Sequence, residues 1–102
     1  MIPPAPFPAE LTQTRSGLEQ LEALRDRTIA MPPMLALMNM RLLEASKGRV
    51  VFAATLEPRH TNPQGTIHGG FTATVLDSAM GCAVLTLLPA NTGHTTCAPD
   101  KV

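Results

Sequence analysis

Leucines recur at helical spacing shortly after a proline-rich start. They follow Ser16-Gly17-Leu18-Glu19, a capping-box sequence in which the serine and the glutamate each satisfy the other's backbone N–H group. This pattern predicts an amphipathic helix over residues 17–29. Residues 1–15 are predicted to form a flexible, extended arm, and residues 16–102 a single partial domain.

Two segments rich in apolar and β-branched residues, 38–45 and 50–57, flank the turn-like sequence Ser46-Lys47-Gly48-Arg49. This arrangement predicts a β-hairpin. A proline pair precedes it, and residues 34–38 fit one extra helical turn, since proline is tolerated at the first helical position. The segment 57–65 that follows the hairpin contains two prolines, an asparagine and a glycine, so it is predicted to be a loop, where functional residues are often found.

Residues 69–88 contain no strong helix breaker and are apolar on nearly every side. A helix of this composition must be covered on most of its surface, and a curved antiparallel sheet is the most economical cover in a short chain. The sequence therefore predicts an α+β fold in which the sheet wraps a long buried helix. His94-Thr95-Thr96 fits the start of a further strand, but Pro99 removes a backbone donor soon afterwards.

Composition excludes several classes of protein. The 102 residues carry eight Lys and Arg and eight Asp and Glu, so there is no basic surplus for nucleic acid. Cys82 and Cys97 have the spacing of neither a disulfide scaffold nor a zinc site, which indicates a reducing, cytoplasmic location and no metal. The start lacks the charge and apolar run of a signal peptide. Asp77 interrupts the apolar stretch 71–90, which argues against a membrane span.

Asp77 is the one Asp, Glu, Lys or Arg between Arg59 and Asp100, and it lies in the middle of the predicted apolar helix. Burying a lone carboxylate is costly. One interpretation is that it pairs with His, Arg or backbone N–H groups elsewhere. The other is that it is a functional carboxylate whose pKa is raised by apolar surroundings.

The loop that enters this helix, Gly65-Thr66-Ile67-His68-Gly69-Gly70, places two glycines where free backbone N–H groups converge at a helix N-terminus. The positive end of the helix dipole would stabilise an oxygen that gains negative charge there. Glycine would also let a ligand carbonyl approach closely. Alternatively, the pair serves only a tight turn and close packing.

Asp77 lies eight residues after Gly69, which is about 12 Å along a helix axis. A single chain does not easily bring both residues to one carbonyl. If two such helices lie antiparallel across a twofold axis, the carboxylate of one subunit faces the Gly69 N–H of the other. The spacing therefore predicts a homodimer with two equivalent composite sites.

The segment from Asn62 to Gly81 resembles a known family signature. It reads N-P-Q-G-T-I-H-G-G-F-T-A-T-V-L-D-S-A-M-G, and it is similar to the N-x-x-G-x-x-H-G-G motif, with an acid nine residues after the histidine, of hotdog-fold acyl-CoA thioesterases of the PaaI type. The resemblance extends more loosely over residues 16–96. It implies a hotdog fold, hydrolysis of acyl-CoA thioesters without a cofactor, and a homodimer or dimer of dimers.

The resemblance also implies catalytic roles. Asp77 matches the family's helix carboxylate, which acts as general base or as nucleophile. Gly69 matches the residue whose backbone N–H polarises the thioester carbonyl. Asn62 matches the loop amide that orients the attacking water or the substrate.

Four further residues are expected at the substrate. His68 and Gly70 flank the oxyanion N–H, and His68 is expected to shape the turn rather than to act as a base. Thr95 and Thr96 match the start of the family's third strand, where a hydroxyl can approach the acyl group. The chemistry is consistent, because a thiolate leaves readily and needs an activated water and an oxyanion site more than a dedicated acid.

Three expectations complete the interpretation. His60 and His94 are expected to be solvated, and Cys82 to be a buried, unreactive thiol. The chain lacks a sequence resembling the family's C-terminal strands, so an exposed apolar patch is expected. Besides a thioesterase, the sequence therefore fits a non-catalytic module that binds acyl-CoA or a partner, or an inactive truncated fragment.

Overall fold

A computed structural model describes residues 2–92, which form an α+β arrangement of four α-helices, a short 3-10 helix and one antiparallel sheet of two strands. In chain order the elements are α1 (Ala9–Thr14), α2 (Gly17–Arg25), α3 (Pro33–Leu37), β1 (Met40–Ser46), β2 (Arg49–Ala54), the 3-10 helix (Pro58–His60) and α4 (Gly69–Leu85). The predicted types and order of the α-helices and strands from α2 to α4 are confirmed. The 3-10 helix lies in the segment that was predicted to be a loop, and α4 ends at Leu85 instead of reaching position 88.

The capping box at the start of α2 is present. Ser16 Oγ accepts the Glu19 N–H at 3.2 Å, and the Ser16 N–H donates to Glu19 Oε1 at 2.9 Å. The helix ends at Arg25 instead of continuing to position 29, because Arg27 adopts a left-handed conformation with φ of 60°. Arg27 follows the C-cap residue Asp26, and a left-handed residue at that position commonly ends a helix.

The N-terminal arm was predicted to be extended, but part of it is helical. It contains α1, and its backbone is attached at two points: the Ala5 N–H donates to the Met31 carbonyl at 3.0 Å, and the Thr12 carbonyl accepts the Asn91 N–H at 2.7 Å. The second bond joins α1 to the segment that follows α4. Phe7 also packs against the core.

The hairpin follows the predicted turn. Its ladder runs from Met40 opposite Ala54 to Ser46 opposite Arg49, and an irregularity in register at Leu43 leaves that residue outside the pairing. Gly48 has a φ of 75° in the two-residue turn, a conformation that favours glycine. The turn is also attached to the end of α4, because the Gly48 N–H donates to Thr86 Oγ1 at 2.7 Å.

The core lies between α2, α3, the sheet and one face of α4. Its buried apolar residues are Leu21, Leu24, Leu35, Met38, Met40, Leu42 and Phe71. Phe71 is the one residue of α4 that is buried, although Val75, Cys82 and Leu85 also pack against the core. Within residues 2–92, the predicted wrapping of this helix by a sheet is therefore present only in part, because the two described strands lie against one face of α4.

The opposite face of α4 and the turn after it carry four exposed apolar side chains at helical spacing, which we call the apolar stripe. They are Leu76, Met80, Val84 and Leu87, and between 46% and 63% of each is exposed. The expected exposure of apolar surface is thus confirmed for the single chain. Among residues 2–92, no helix combines the length and apolar character that a membrane crossing requires.

Candidate active site

The loop that leads into α4 is organised around the side chain of Asn62. Its Oδ1 accepts the N–H groups of Gln64 and Thr66, each at 3.0 Å, and its Nδ2 donates to Thr66 Oγ1 at 2.8 Å. Gly65 turns the chain with a φ of 82° and donates its N–H to the Asn62 carbonyl at 2.9 Å. Since an amide oxygen has two lone pairs, the acceptor capacity of Asn62 is used within the loop. The second hydrogen on Nδ2 has no acceptor within residues 2–92.

His68 is the N-cap of α4. Its Nδ1 accepts the Gly70 N–H at 2.8 Å, and its carbonyl accepts the Phe71 N–H at 2.9 Å. A ring nitrogen that accepts a hydrogen bond carries no proton, so the neutral His68 ring bears its proton on Nε2. These contacts agree with the expected role of His68 in shaping the turn.

The N–H groups of His68 and Gly70, on either side of Gly69, are both hydrogen-bonded, whereas the Gly69 N–H has no acceptor within residues 2–92. A Cβ at Gly69 would meet no atom within 4 Å, whereas a Cβ at Gly70 would lie 2.9 Å from His68 Nδ1. The two glycines therefore have different roles. Gly70 gives room for the histidine cap, and Gly69 presents an open N–H at the positive end of a helix of 17 residues. This arrangement can stabilise a developing negative charge.

Asp77 lies on the exposed side of α4, next to the apolar stripe. The expectation that the surrounding chain buries this carboxylate is therefore wrong, because the sheet lies against the opposite face of the helix. Gly69 and Asp77 are separated by about two turns of α4, or about 12 Å along its axis. One chain does not bring them together.

His60 is a residue of this region whose role the sequence analysis missed. It was expected to be solvated, but only 7% of it is exposed. Its ring lies 4.7 Å, centroid to centroid, from the ring of Phe71 in the first turns of α4. Its Nδ1 accepts the Glu57 N–H at 3.0 Å. The three-residue spacing from Glu57, just before a proline, is the local signal that could have indicated a capped turn.

A cavity of about 380 Å³ opens between α3, the 3-10 helix and the start of α4. Its lining residues are Leu37, Met38, Arg59, His60, His68 and Phe71. Arg59 Nε lies 2.8 Å from Glu57 Oε2, so the guanidinium charge is paired. Leu37, Met38 and Phe71 give the cavity an apolar wall. The cavity adjoins the His68 cap and therefore lies near the open Gly69 N–H.

Other expectations concern thiol and metal chemistry. Burial raises the pKa of the Cys82 thiol to about 11, in agreement with an unreactive core cysteine. Within residues 2–92, no three His, Cys, Asp or Glu side chains lie close enough to share a metal ion. Thr95 and Thr96, as well as His94 and Cys97, lie outside the described residues.

Comparison with known proteins gives a partial match. Over 47 residues, 46% of this chain, it is 40% identical to the acyl-coenzyme A thioesterase 13 of Homo sapiens and to that of Pongo abelii. The mouse protein of the same name is 37% identical over an equal length. The match covers 34% of each relative, so the chain spans about a third of the length of these curated proteins. No protein-family model matches the chain, and no solved structure does.

Proposed function

We propose that this chain contributes to the hydrolysis of acyl-CoA thioesters in a homodimer, with the Gly69 N–H as the oxyanion donor. The observation that carries the proposal is the open Gly69 N–H at the start of a long helix, between the hydrogen-bonded N–H groups of His68 and Gly70. The similarity to proteins named acyl-coenzyme A thioesterase 13 supports the thioester as substrate. Within this proposal, the described elements are part of a PaaI-type hotdog fold.

A second protomer supplies the carboxylate in this proposal. With two α4 helices antiparallel across a twofold axis, Asp77 of one protomer lies opposite Gly69 of the other. The apolar stripe beside Asp77 supports such a contact, because several exposed large apolar side chains on one helix face favour association. The partner would then give Asp77 the apolar environment that its own chain lacks.

The reaction needs two groups at the thioester carbonyl. Asp77 either accepts a proton from the attacking water or attacks the carbonyl carbon itself. The carbonyl oxygen gains negative charge and is stabilised by the Gly69 N–H and the dipole of α4. Collapse of the intermediate breaks the C–S bond. In the general-base route this gives the free acid, and the thiolate takes the proton that Asp77 removed from water. In the nucleophilic route it leaves an acyl–Asp77 anhydride, which water hydrolyses to the free acid and regenerated Asp77, and the thiolate takes the proton that this water releases. Asn62 orients water or substrate through its remaining Nδ2 hydrogen. In this proposal, a hydroxyl of Thr95 or Thr96 approaches the acyl group.

Thiol release from a series of aromatic and aliphatic acyl-CoAs tests the proposal. The wild-type chain should release CoA, and Asp77→Asn should abolish release while the circular dichroism spectrum stays unchanged, because Asn keeps the size and shape of the Asp side chain. Sedimentation on the same samples should give at least a dimer. Acyl-CoA binding without thiol release would identify a non-catalytic binding module instead, and activity from a monomer would contradict the composite site.

A further inference from the structure

Both ring nitrogens of His60 are engaged in hydrogen bonds with the backbone. Nδ1 faces the Glu57 N–H at 3.0 Å, and Nε2 faces the Leu37 carbonyl at 3.1 Å. Because Glu57 N–H is a fixed donor and Leu37 carbonyl a fixed acceptor, one neutral tautomer satisfies both, with the proton on Nε2. The ring is thereby fixed in orientation between α3 and the 3-10 helix.

The backbone of His60 extends this connection to the start of α4. Its carbonyl accepts the His68 N–H at 3.0 Å, and its ring contacts Phe71 at 4.7 Å. His68 and Phe71 are the residues on either side of Gly69-Gly70. His60 therefore contacts the residues on both sides of the Gly69-Gly70 pair, His68 through its carbonyl and Phe71 through its ring.

We infer that His60 is a positioning residue that sets the direction of the Gly69 N–H, an inference that rests on the proposed function. An apolar side chain of similar size would fill the same volume. It would leave the Glu57 N–H and the Leu37 carbonyl without their partner, and the loop would lose the two bonds that fix its orientation. An oxyanion donor works only when it is directed at the position that the charged oxygen will occupy.

Thr86 provides a matched control at the other end of α4. It is buried, with 3% of its surface exposed, and its hydroxyl also makes two bonds. It accepts the Gly48 N–H at 2.7 Å and donates to the Ala83 carbonyl at 2.6 Å. Thr86→Val therefore removes a comparable pair of buried hydrogen bonds without touching the loop before Gly69.

The experiment compares His60→Phe and Thr86→Val in the full chain. We expect both variants to lower the unfolding midpoint. Only His60→Phe should lower kcat, by about 10- to 100-fold, with KM within about twofold of the wild-type value, since misplacing a catalytic group acts on the transition state. An equal loss of kcat in the two variants, or no loss in His60→Phe, would overturn the inference.

A second readout does not depend on activity. Nitrogen-15 NMR of the wild-type chain should show His60 protonated on Nε2 alone. In His60→Phe, the Gly69 amide resonance should shift, and the amides of Asn62, Thr66 and His68 should exchange with solvent at least about tenfold faster, whereas those in the middle of α4 keep their rates. Unchanged Gly69 shifts and exchange rates would overturn the inference, whether or not the wild-type chain is active. If it releases no thiol, the proposed function fails, and these NMR data decide alone whether His60 orders the loop.

Discussion

The Nδ1 atom of His68 accepts the N–H of Gly70 at 2.8 Å, and this bond determines which N–H in the first turn of α4 stays open. The next N–H, that of Phe71, is bonded to the His68 carbonyl. The Gly69 N–H alone among these three has no acceptor in the described part of the chain. His68 therefore caps the helix. Because its ring accepts the Gly70 N–H, the neighbouring Gly69 N–H stays open as the candidate oxyanion donor.

Replacing His68 tests how much its bond to Gly70 contributes to stability. His68→Ala leaves the Gly70 N–H without its acceptor and should lower the free energy of unfolding by about 1 kcal/mol. His68→Asn supplies a short side-chain acceptor at the same position and should recover most of that loss. Chemical denaturation of the three proteins measures the difference. If His68→Asn were as unstable as His68→Ala, the bond to Gly70 would not be the stabilising contact.

Gly69→Pro removes the proposed oxyanion donor with little disturbance of the fold. Residue 69 is the first residue of α4, where proline is well tolerated, and the preceding His68 has a ψ of 132°, which a following proline accepts. We expect turnover to fall by about 10²- to 10³-fold relative to Gly69→Ala, which keeps the N–H. Stability should be unchanged or slightly higher in both variants.

Thiol-release assays and thermal unfolding on the same preparations check this expectation. The alanine variant is the control for added bulk, because its Cβ meets no atom within 4 Å in the single chain. Equal turnover in the proline and alanine variants would show that the Gly69 N–H does not take part in catalysis, even if both variants were slower than the wild type.

Much of the local structure could be predicted because short-range signals determine it. The capping box located the start of α2, the Lys47-Gly48 turn located the hairpin, and the glycine pair located the start of α4. Each of these depends on residues within a few positions of each other. The end of α2 was misplaced because a left-handed conformation at Arg27 has no clear sequence signal.

The environment of Asp77 could not be predicted in the same way. Its apolar neighbours in sequence suggested burial, but whether a helix face is buried depends on how many strands cover it. In the described part of the chain, two strands cover the face that contains Phe71, and the face beside Asp77 is exposed. His60 was misjudged for a related reason, since its partner Leu37 lies 23 positions away in the chain.

Mixing two inactive variants tests whether the site is shared between protomers. In a heterodimer of Asp77→Asn and Gly69→Pro chains, one of the two composite sites combines an intact Gly69 with an intact Asp77 from the other chain. Random exchange of equal amounts should therefore restore about a quarter of wild-type turnover per protomer, although each variant alone is nearly inactive. Native mass spectrometry confirms that heterodimers have formed. Heterodimers without activity would show that the two residues do not act across the interface.

Gly17 lies at the crossing of α2 and the end of α4, and a side chain there should destabilise the fold. A Cβ at this position would overlap the backbone carbonyl of Leu85, which cannot rotate away as a flexible side chain can. The Gly17 N–H also donates to the Leu88 carbonyl at 2.9 Å, so a shift of α2 would weaken that bond.

We expect Gly17→Ala to lower the free energy of unfolding by about 1 to 3 kcal/mol, as overpacking of a close contact does. Gly69→Ala is the matched control, since both glycines are the first residue of a helix but position 69 has open space. Urea denaturation distinguishes the two. A similar stability for both alanine variants would mean that α2 moves away from α4 without cost.

Stability above pH 9 should depend on Cys82. Burial raises the pKa of its thiol from an ordinary value of 9.0 to about 11, so the folded state keeps the proton over a range in which the unfolded chain loses it. The contribution of the neutral thiol to stability is therefore complete below pH 9 and is lost as the pH rises towards about 11. Cys82→Ala removes this contribution while the other titrating groups stay the same. The difference in unfolding free energy between wild type and Cys82→Ala should accordingly be constant below pH 9. Between pH 9 and 11 the wild type should lose stability relative to Cys82→Ala. A difference that stays constant across that range would mean that the thiol is not buried in the folded chain.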